Sequence, residues 1–384
     1  MNLLTKYHAI ILIFVLIFHS APAQAAQEPY ISADAAVLMD ARTGQVLFAK
    51  NPHKKRPPAS TTKIMTALLA LELGDPDEIV TVSPGAAAVG ESSIYLDAGE
   101  KLKLSDLVFG ALLKSGNDAC AAIAEHIGGS IEGFAALMNK KAYAIGARHT
   151  HFVNPHGLRA KGHFTTAYDL GLIAVHALMN AKFGEIVSTR EQTIDWYGKS
   201  WDRKLKNTNK LLWQYHWADG VKTGTTREAG QCLVSSASKD SRRLVAVVLK
   251  SGDRYGDTVR LFEYGFANFE FRQVAVTGEI FRSVPVREGT MDSVPVRFTG
   301  DLALLVPKDR PEALEIKTEI SPGLTAPVQK GRQAGSVTVY LDGQLIGRSD
   351  LAVAVDVPER TWWEMFKKWW AEKKFKGILS IFSN

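Results

Sequence analysis

The sequence predicts an α+β fold in which an antiparallel sheet covered by helices is followed by a small all-β domain and a C-terminal amphipathic helix. Strand signals lie at both ends of residues 30–269, with helical signals between them. Only strand signals remain from about residue 272 to 356. Residues 361–376 carry aromatic and basic side chains at helical spacing. The 384 residues leave room for two domains of ordinary size.

Turn and cap signals delimit the elements of the first region. Asp40-Ala41-Arg42-Thr43-Gly44 is a turn signal, Pro57-Pro58 interrupts the chain before a helix, and Gly128-Gly129 ends another helix. In chain order we predict strands at 36–39 and 45–50, helices at 64–73, 105–114 and 117–127, and strands at 232–238 and 244–250.

The second region repeats the segment Ser-Val-Pro-Val-Arg at 283–287 and 293–297, which predicts two neighbouring strands rather than a structural repeat. Asp342-Gly343 between strand signals predicts a hairpin turn. The predicted strands lie at 274–281, 294–298, 302–306, 314–320, 337–341 and 351–355.

The composition excludes several classes of protein. Hydrophobic residues make up 46% and charged residues 22%, which argues against disorder over most of the chain. Two cysteines are too few for a disulfide scaffold, and a formal charge of +6 is too small to predict nucleic-acid binding. Cys120 and Cys232 are expected to be small buried residues, and a disulfide between them stays open.

The N-terminal residues have the pattern of a signal peptide. Lys6 precedes an unbroken apolar run at 9–18, and Ala23-Gln24-Ala25 is a small-x-small cleavage site. The run is too short to span a bilayer comfortably. We therefore expect a signal peptide at 1–25 and an exported mature chain, with an uncleaved N-terminal anchor as the alternative.

The C-terminal segment, 358–384, has the pattern of a helix in a membrane interface. It contains six Lys or Arg residues and three Asp or Glu residues. Lys367 and Lys368 fall opposite the apolar face, as in interfacial helices. The alternative is a helix docked on its own domain. The apolar face consists of Trp362, Trp363, Met365, Phe366, Trp369 and Trp370.

The first motif that could carry out catalysis is Ser60-Thr61-Thr62-Lys63, at the start of the apolar helix at 64–73. Ser60 and Lys63 are one turn apart and share a face. Burial in an apolar helix should lower the pKa of Lys63, so that it can activate the Ser60 hydroxyl as a nucleophile. Alternatively, Ser60 caps the helix and Lys63 is unrelated to it.

The second motif is Ser115-Gly116-Asn117, at a glycine break between two predicted helices. A tight loop between helices can present Ser115 and Asn117 to a cleft. The alternative is ordinary capping of the following helix by Asn117.

The third motif is Lys222-Thr223-Gly224-Thr225, shortly before a predicted strand. In a strand, Lys222, Thr223 and Thr225 are expected to share a polar face, and Gly224 to let a ligand backbone approach closely. The alternative is a hairpin with exposed polar residues.

The three motifs occur in the order used by penicillin-binding proteins and class A β-lactamases. The sequence resembles the low-molecular-mass penicillin-binding proteins that act as serine-type D-alanyl-D-alanine carboxypeptidases, from about Ala35 to Asp356. The stretches that carry the resemblance are PASTTKIMTALLALE, GESSIYLDAGEKLKLSDL, LLKSGNDACAAIAEHIGGS, HFVNPHGL, HFTTAYDL and DGVKTGTTREAGQCLVSSA.

The resemblance implies a role for each motif residue. The catalytic set would be Ser60 as the acylated nucleophile, Lys63 as its base and Ser115 as a proton relay. The implied substrate-binding set is Asn117 for the substrate amide, Lys222 for positive charge, Thr223 and Thr225 for the terminal carboxylate, and Gly224 within the same strand. The backbone N–H groups of Ser60 and Thr225 would form the oxyanion hole.

The resemblance also implies the layout and the partners. The catalytic, transpeptidase-like domain would be 26–270, the all-β domain 271–357 and the anchor helix 358–384. The implied partners are peptidoglycan stem peptides, β-lactams as covalent inhibitors and a membrane surface, with no nucleic acid. No cofactor is implied, and no metal set is predicted because His149, His151, His156 and His163 fall in loops. The chain would act at the outer face of the cytoplasmic membrane, in the periplasm if the host has an outer membrane.

Two other functions share these features. A β-lactamase would use the same nucleophile, together with a glutamate followed by an asparagine four residues later. Between the second and third motifs, no glutamate has an asparagine at that spacing; the residues tested are Glu125, Glu132, Glu185 and Glu191. A non-catalytic wall-binding protein would rely on the β domain and the anchor, which the intact Ser60–Lys63 pair argues against.

Overall fold

The structure, a computed structural model, describes residues 27–310, 314–321, 323–367 and 370. The expected signal peptide at 1–25 and the chain after residue 370 lie outside this part. Within it, no single helix combines the length and hydropathy needed to cross a bilayer. One bent pair of helices, Ala167–Leu178 with Ala181–Ser188, meets the test on length and composition alone.

The first region begins with strands and returns to strands near its end, as the sequence predicted, but a final helix follows the last of them. In chain order these strands are β1 (Ala35–Asp40), β2 (Val46–Lys50), β3 (Ile79–Thr81), β4 (Lys101–Lys103), β5 (Glu191–Ile194), β6 (Arg203–Lys206), β7 (Ala218–Thr226), β8 (Gly230–Lys239) and β9 (Arg242–Ser251). Five of them form an antiparallel sheet in the order β2-β1-β9-β8-β7, so that β7 is an edge strand. The pairs β3–β4 and β5–β6 are separate ribbons.

Helices cover both faces of this sheet. They are α1 (Lys63–Leu73), α2 (Pro84–Ala87), α3 (Leu104–Phe109), α4 (Asn117–Gly128), α5 (Ile131–Ile145), α6 (Ala167–Leu178), α7 (Ala181–Ser188), α8 (Leu211–Gln214) and α9 (Arg254–Asn268). A 3₁₀ turn, Ala59–Thr62, precedes α1, and a π-helical turn, Gly110–Lys114, follows α3.

The two faces of the sheet belong to different hydrophobic cores, because side chains alternate along each strand. Val37 of β1 packs with α1 and α6 in one core, whereas Leu38 packs with Phe262 of α9 in the other. Helix α1 is buried over its first eight residues, from Lys63 to Ala70. This burial agrees with its apolar sequence and fixes the position of the residues at its start.

From Phe269 onward the described chain is a β domain. Its strands are β10 (Phe269–Ala275), β11 (Ile280–Arg287), β12 (Ser293–Phe298), β13 (Leu302–Pro307), β14 (Leu314–Ile320), β15 (Leu324–Thr325), β16 (Gln333–Leu341) and β17 (Gln344–Val353). A six-stranded sheet has the order β14-β16-β17-β12-β11-β15, and β10 pairs with β13. Leu305 of β13 packs in the α9 core, and its backbone exchanges hydrogen bonds of 2.6 and 3.1 Å with the Gln45 side chain. The β domain is thereby attached to the sheet of the first region.

Three predictions for this domain can be compared with the structure. The repeated segments are neighbouring strands, since Val284 of β11 lies opposite Val294 of β12. Asp342 and Gly343 form the β16–β17 hairpin with φ angles of 49° and 77°. The single strand predicted at 274–281 is wrong, because Gly278 adopts φ 86° in a turn that separates β10 from β11.

Candidate active site

Ser60 lies in the 3₁₀ turn at the start of α1, where it is half-buried. Ala59, directly before it, has a φ of 49°, a left-handed conformation that is uncommon for a residue with a Cβ. The Thr62 hydroxyl donates a hydrogen bond of 2.8 Å to the Ala59 carbonyl oxygen and holds this turn. No side-chain cap bond is found at the start of α1, so the capping alternative for Ser60 is wrong.

Lys63 is completely buried and contacts three oxygen atoms. Its Nζ lies 2.9 Å from Ser60 Oγ, 2.7 Å from Asn117 Oδ1 and 2.9 Å from the His156 carbonyl oxygen. Burial lowers the pKa of Lys63 from 10.5 to about 8. The sequence predicted this direction from the apolar helix.

The three contacts suit a base for the Ser60 hydroxyl. A neutral amine has two N–H bonds and one lone pair. If the N–H bonds point to Asn117 Oδ1 and the His156 carbonyl oxygen, the lone pair faces the Ser60 O–H. The arrangement can therefore deprotonate Ser60 without moving a side chain.

The second motif lies where the π-helical turn meets α4. Ser115 has a φ of 66° and is 6% exposed, so its backbone turns sharply between the two helical segments. Asn117 contacts Lys63 through Oδ1 and donates a hydrogen bond of 2.8 Å from Nδ2 to the Gly90 carbonyl oxygen. The Asn117 side chain does not cap α4, whose N-cap is Gly116. The capping alternative is therefore wrong here too.

The third motif lies on β7 and packs against the Ser60 turn. A Cβ atom on Gly224 would lie 3.1 Å from the Pro58 carbonyl oxygen and 3.1 Å from the Ser60 nitrogen. Gly224 thus allows the protein's own backbone, rather than a ligand, to approach closely. The expected shared face is also wrong, because alternation places Lys222 and Gly224 on one face of β7 and Thr223 and Thr225 on the other.

Lys222 is a second completely buried lysine. Its Nζ donates a hydrogen bond of 3.0 Å to the Thr223 carbonyl oxygen. Burial, and then the positive charge of Lys63, lower the pKa of Lys222 well below its usual value. When it is protonated, Lys222 has three N–H donors, so it can bind further acceptors. The alternative of an exposed polar hairpin is therefore wrong for Lys222.

Arg254 belongs to the same end of the sheet, and the sequence analysis missed it. Its Nη1 donates hydrogen bonds of 2.8 Å to Thr225 Oγ1 and 3.2 Å to the Gly224 carbonyl oxygen. The Thr223 hydroxyl lies 2.9 Å from the Thr208 hydroxyl. Arg254 is the first residue of α9, nearly 30 residues beyond the third motif, and no local pattern marks it.

The loop that contains Val153, Gly157 and His163 supports the Ser60 turn. The sequence did not predict this role. The Val153 N–H donates to His163 Nδ1 at 3.0 Å, so His163 Nε2 carries the proton and donates to Thr62 Oγ1 at 3.0 Å. Burial lowers the pKa of His163 to about 4, which keeps it neutral at pH 7. A Cβ on Gly157 would lie 1.9 Å from the Ala59 carbonyl oxygen, so glycine is required there.

The remaining candidates do not form a metal or disulfide site. Within the described ranges, no group of three His, Cys, Asp or Glu residues is placed to hold a metal ion. Cys120 and Cys232 are both buried and unbridged. Burial raises the pKa of Cys120 to about 12, so its thiol is unreactive at neutral pH.

This fold and this serine–lysine site define a serine hydrolase of the penicillin-binding class. Penicillin binding protein 5 from Haemophilus influenzae has a similar structure, with a TM-score of 0.77 and 32% identity over 87% of this chain and 99% of that one. The carboxypeptidase DacD from Francisella tularensis has a TM-score of 0.69 and 28% identity over 88% of this chain and 96% of that one.

The chain belongs to the D-alanyl-D-alanine carboxypeptidase family, whose model matches residues 22–252. A model of the penicillin-binding protein 5 C-terminal domain matches residues 269–359. Over 337 residues the chain is 35% identical to the D-alanyl-D-alanine carboxypeptidase DacF of Bacillus subtilis, covering 85% of this chain and 86% of that protein. Over 347 residues it is 35% identical to the D-alanyl-D-alanine carboxypeptidase DacA of Escherichia coli K12, covering 86% of this chain and 85% of that protein. The predicted family, fold class and serine-type peptidase activity are confirmed.

Proposed function

We propose that this protein removes the terminal D-Ala from peptidoglycan stem pentapeptides through an acyl-enzyme on Ser60. The observation that carries the proposal is the buried Lys63 amine, 2.9 Å from Ser60 Oγ and with a pKa lowered to about 8. A base near neutral pH beside a hydroxyl is the requirement for nucleophilic catalysis by serine.

The proposed reaction begins at the contact between Lys63 and Ser60. Lys63 takes the Ser60 proton as Oγ bonds to the carbonyl carbon, and the oxyanion accepts hydrogen bonds from the Ser60 and Thr225 N–H groups. The peptide C–N bond then breaks, and the leaving D-Ala nitrogen receives a proton from Lys63, relayed by Ser115. Water attacks the ester, Lys63 takes its proton, and Ser60 Oγ leaves reprotonated. In a β-lactam the leaving nitrogen stays tethered, so the acyl-enzyme persists.

The edge of β7 offers a place for the substrate backbone. An extended peptide can pair with an unpartnered strand edge, and β7 is the edge strand beside Ser60. We infer that Asn117 binds the substrate amide and that the terminal carboxylate is held by Lys222, Thr223, Thr225 and, in addition, Arg254. A carboxylate would supply a counter-charge to Lys222, which pairs with no carboxylate among the described residues.

The alternatives have less support. None of the four glutamates tested contacts Ser60 or Lys63 within the described residues; Glu185 pairs with Lys182 and Glu191 with Lys206 on the surface. Fluorescent penicillin and a D-Ala-D-Ala peptide separate the functions. The carboxypeptidase stays labelled for minutes and releases D-Ala, a β-lactamase loses the label rapidly, and a non-catalytic wall-binding protein does neither.

We expect Lys222→Arg to retain more activity than Lys222→Ala, because the role of Lys222 is electrostatic and Arg keeps the positive charge. The KM for a D-Ala-D-Ala peptide should rise more in the alanine variant than in the arginine variant. Equal losses in both variants would show instead that proton transfer or strict geometry is required at this position.

We also propose that the tail attaches the exported protein to the outer face of the cytoplasmic membrane. In the short helix at 362–367, Trp362 and Trp363 are 69% and 51% exposed, which leaves apolar surface open to a membrane. An aromatic side chain can bury about 150–250 Å² of surface. Each Å² of apolar surface removed from water contributes roughly 25 cal/mol of binding free energy. A lysine near anionic lipid adds on the order of 1 kcal/mol, so the apolar contribution should dominate.

Truncation after Thr361 is therefore expected to release a soluble protein that still cleaves small peptides. The truncated protein keeps Arg360, because the Arg360 N–H donates a hydrogen bond of 2.7 Å to the Glu288 carbonyl oxygen within the β domain. Cosedimentation with anionic liposomes measures this, and high salt should weaken binding of the full chain without abolishing it. If the truncated protein pellets equally well, the anchor lies elsewhere.

A further inference from the structure

A groove rich in positive charge lies beside the Ser60 turn. It has a volume of about 570 Å³, and its charged lining residues are Lys55, Arg56, Arg159, Lys161 and Glu228. Four cations therefore face one carboxylate. We call Lys55, Arg56, Arg159 and Lys161 the basic groove.

The basic groove adjoins residues that support the Ser60 turn. Pro57 and His163 also line it, and His163 contacts Thr62 of the Ser60 turn at 3.0 Å. An ion pair of 3.2 Å between Arg159 and Glu228 separates it from a second cleft of about 560 Å³. That cleft begins at Thr226, the last residue of β7.

The positive charge of the basic groove is only partly neutralised. Arg56 pairs with Asp34, and Arg159 pairs with Glu228 although its side chain is 85% exposed. The Lys55 ammonium lies 4.4 Å from the centre of the Phe164 ring. Within the described residues, neither Lys55 nor Lys161 is paired with a carboxylate, so both are available to an anionic ligand.

The direction of the substrate leads toward this groove. A peptide that pairs antiparallel with β7, with its terminal carboxylate beside Lys222 and Thr223, places its preceding residues beyond Thr225. Those residues reach Thr226 and then the Arg159–Glu228 pair. The basic groove therefore lies on the side of the residues that remain on the acyl-enzyme.

We propose that the basic groove binds free carboxylates on the residues that precede D-Ala-D-Ala, so that the enzyme prefers acidic peptides. This inference rests on the proposed function, because it assigns a specificity to the same site. Each exposed charge pair contributes modestly, so the two free lysines together are expected to give a preference of about threefold to tenfold.

Two peptides that differ only in charge test the proposal: acetyl-Glu-Glu-D-Ala-D-Ala and acetyl-Gln-Gln-D-Ala-D-Ala. The readout is the ratio of their kcat/KM values, which does not depend on the amount of folded enzyme. The full-length protein should favour the Glu peptide, with a smaller ratio at high salt. The double variant Lys55→Glu, Lys161→Glu should lose or reverse this preference.

Lys330→Glu is the matched control, since it removes the same kind of charge from an exposed position on the β domain. It should leave the ratio as in the unmodified protein. A ratio near one in the unmodified protein, or an unchanged ratio in the double variant, would overturn the proposal that the basic groove binds carboxylates. Neither result would contradict the proposed carboxypeptidase activity. If neither peptide is cleaved, the proposed function fails, and the groove proposal fails with it.

Discussion

Ser60→Ala is expected to abolish both D-Ala release and penicillin labelling, by roughly a thousandfold or more. The reason is that Ser60 is the hydroxyl in contact with the buried Lys63 amine, at 2.9 Å. Mass spectrometry of the penicillin adduct of the unmodified protein locates the acylated residue directly. Labelling of the variant at the level of the unmodified protein would contradict the assignment.

The loss of activity in Ser60→Ala should not be caused by unfolding. The hydroxyls that hold the turn belong to Thr61 and Thr62, which donate to the carbonyl oxygens of Pro58 and Ala59 at 2.6 and 2.8 Å. Ser60→Ala should therefore melt at the same temperature as the unmodified protein. Ser188→Ala, which changes an exposed hydroxyl at the end of α7, is a control that should retain full labelling.

The elements that could be predicted from the sequence are those with a strong local pattern. Helix α1 was predicted because an apolar run flanked by Pro58 and Gly74 fits a helix buried all round, and it is buried from Lys63 to Ala70. Helix α9 was not predicted, although Asp253 caps it. Its buried residues Leu261, Phe262 and Phe266 recur at helical spacing, so an amphipathic pattern was present in the sequence and was overlooked.

The site could be predicted as three motifs but not as an arrangement in space. Lys63 and Asn117 are 54 residues apart in the chain, and their contact of 2.7 Å depends on the packing of α1 against α4. Each motif alone was compatible with capping or a hairpin. The order of the three motifs supported the site, and the structure brings their residues together.

The residues that were missed act through tertiary contacts. Arg254 reaches Thr225 from the start of α9, and His163 reaches Thr62 across 101 residues of chain. No periodicity or spacing relates such pairs. The role of Gly224 was misjudged for a similar reason, since the backbone that approaches it belongs to the Ser60 turn. The boundary expected at residue 270 stays a prediction.

Lys63→Arg is expected to be almost inactive even though it keeps the positive charge. Arginine stays protonated at any pH at which the protein is folded, so it cannot take the Ser60 proton. It would also have to fit a longer guanidinium among Ser60, Asn117 and the His156 carbonyl oxygen. The rate of acylation by penicillin measures this, and an active Lys63→Arg enzyme would refute the role of base.

The pH dependence of the same rate tests the Lys63 amine itself. Only the neutral amine accepts a proton, so acylation should be constant well above the pKa of about 8 and fall as pH drops through it. At pH 7 about one molecule in ten would be active.

The buried histidines, with pKa values of about 3 and 4 for His156 and His163, titrate too low to cause this fall in acylation. Burial also lowers the pKa of Lys222, and its loss of a proton would weaken carboxylate binding as pH rises, which is the opposite direction. Lys222→Arg should therefore keep the fall in acylation as pH drops, because arginine does not titrate in this range. If acylation instead rises as pH drops below 8, Lys63 does not act as the base.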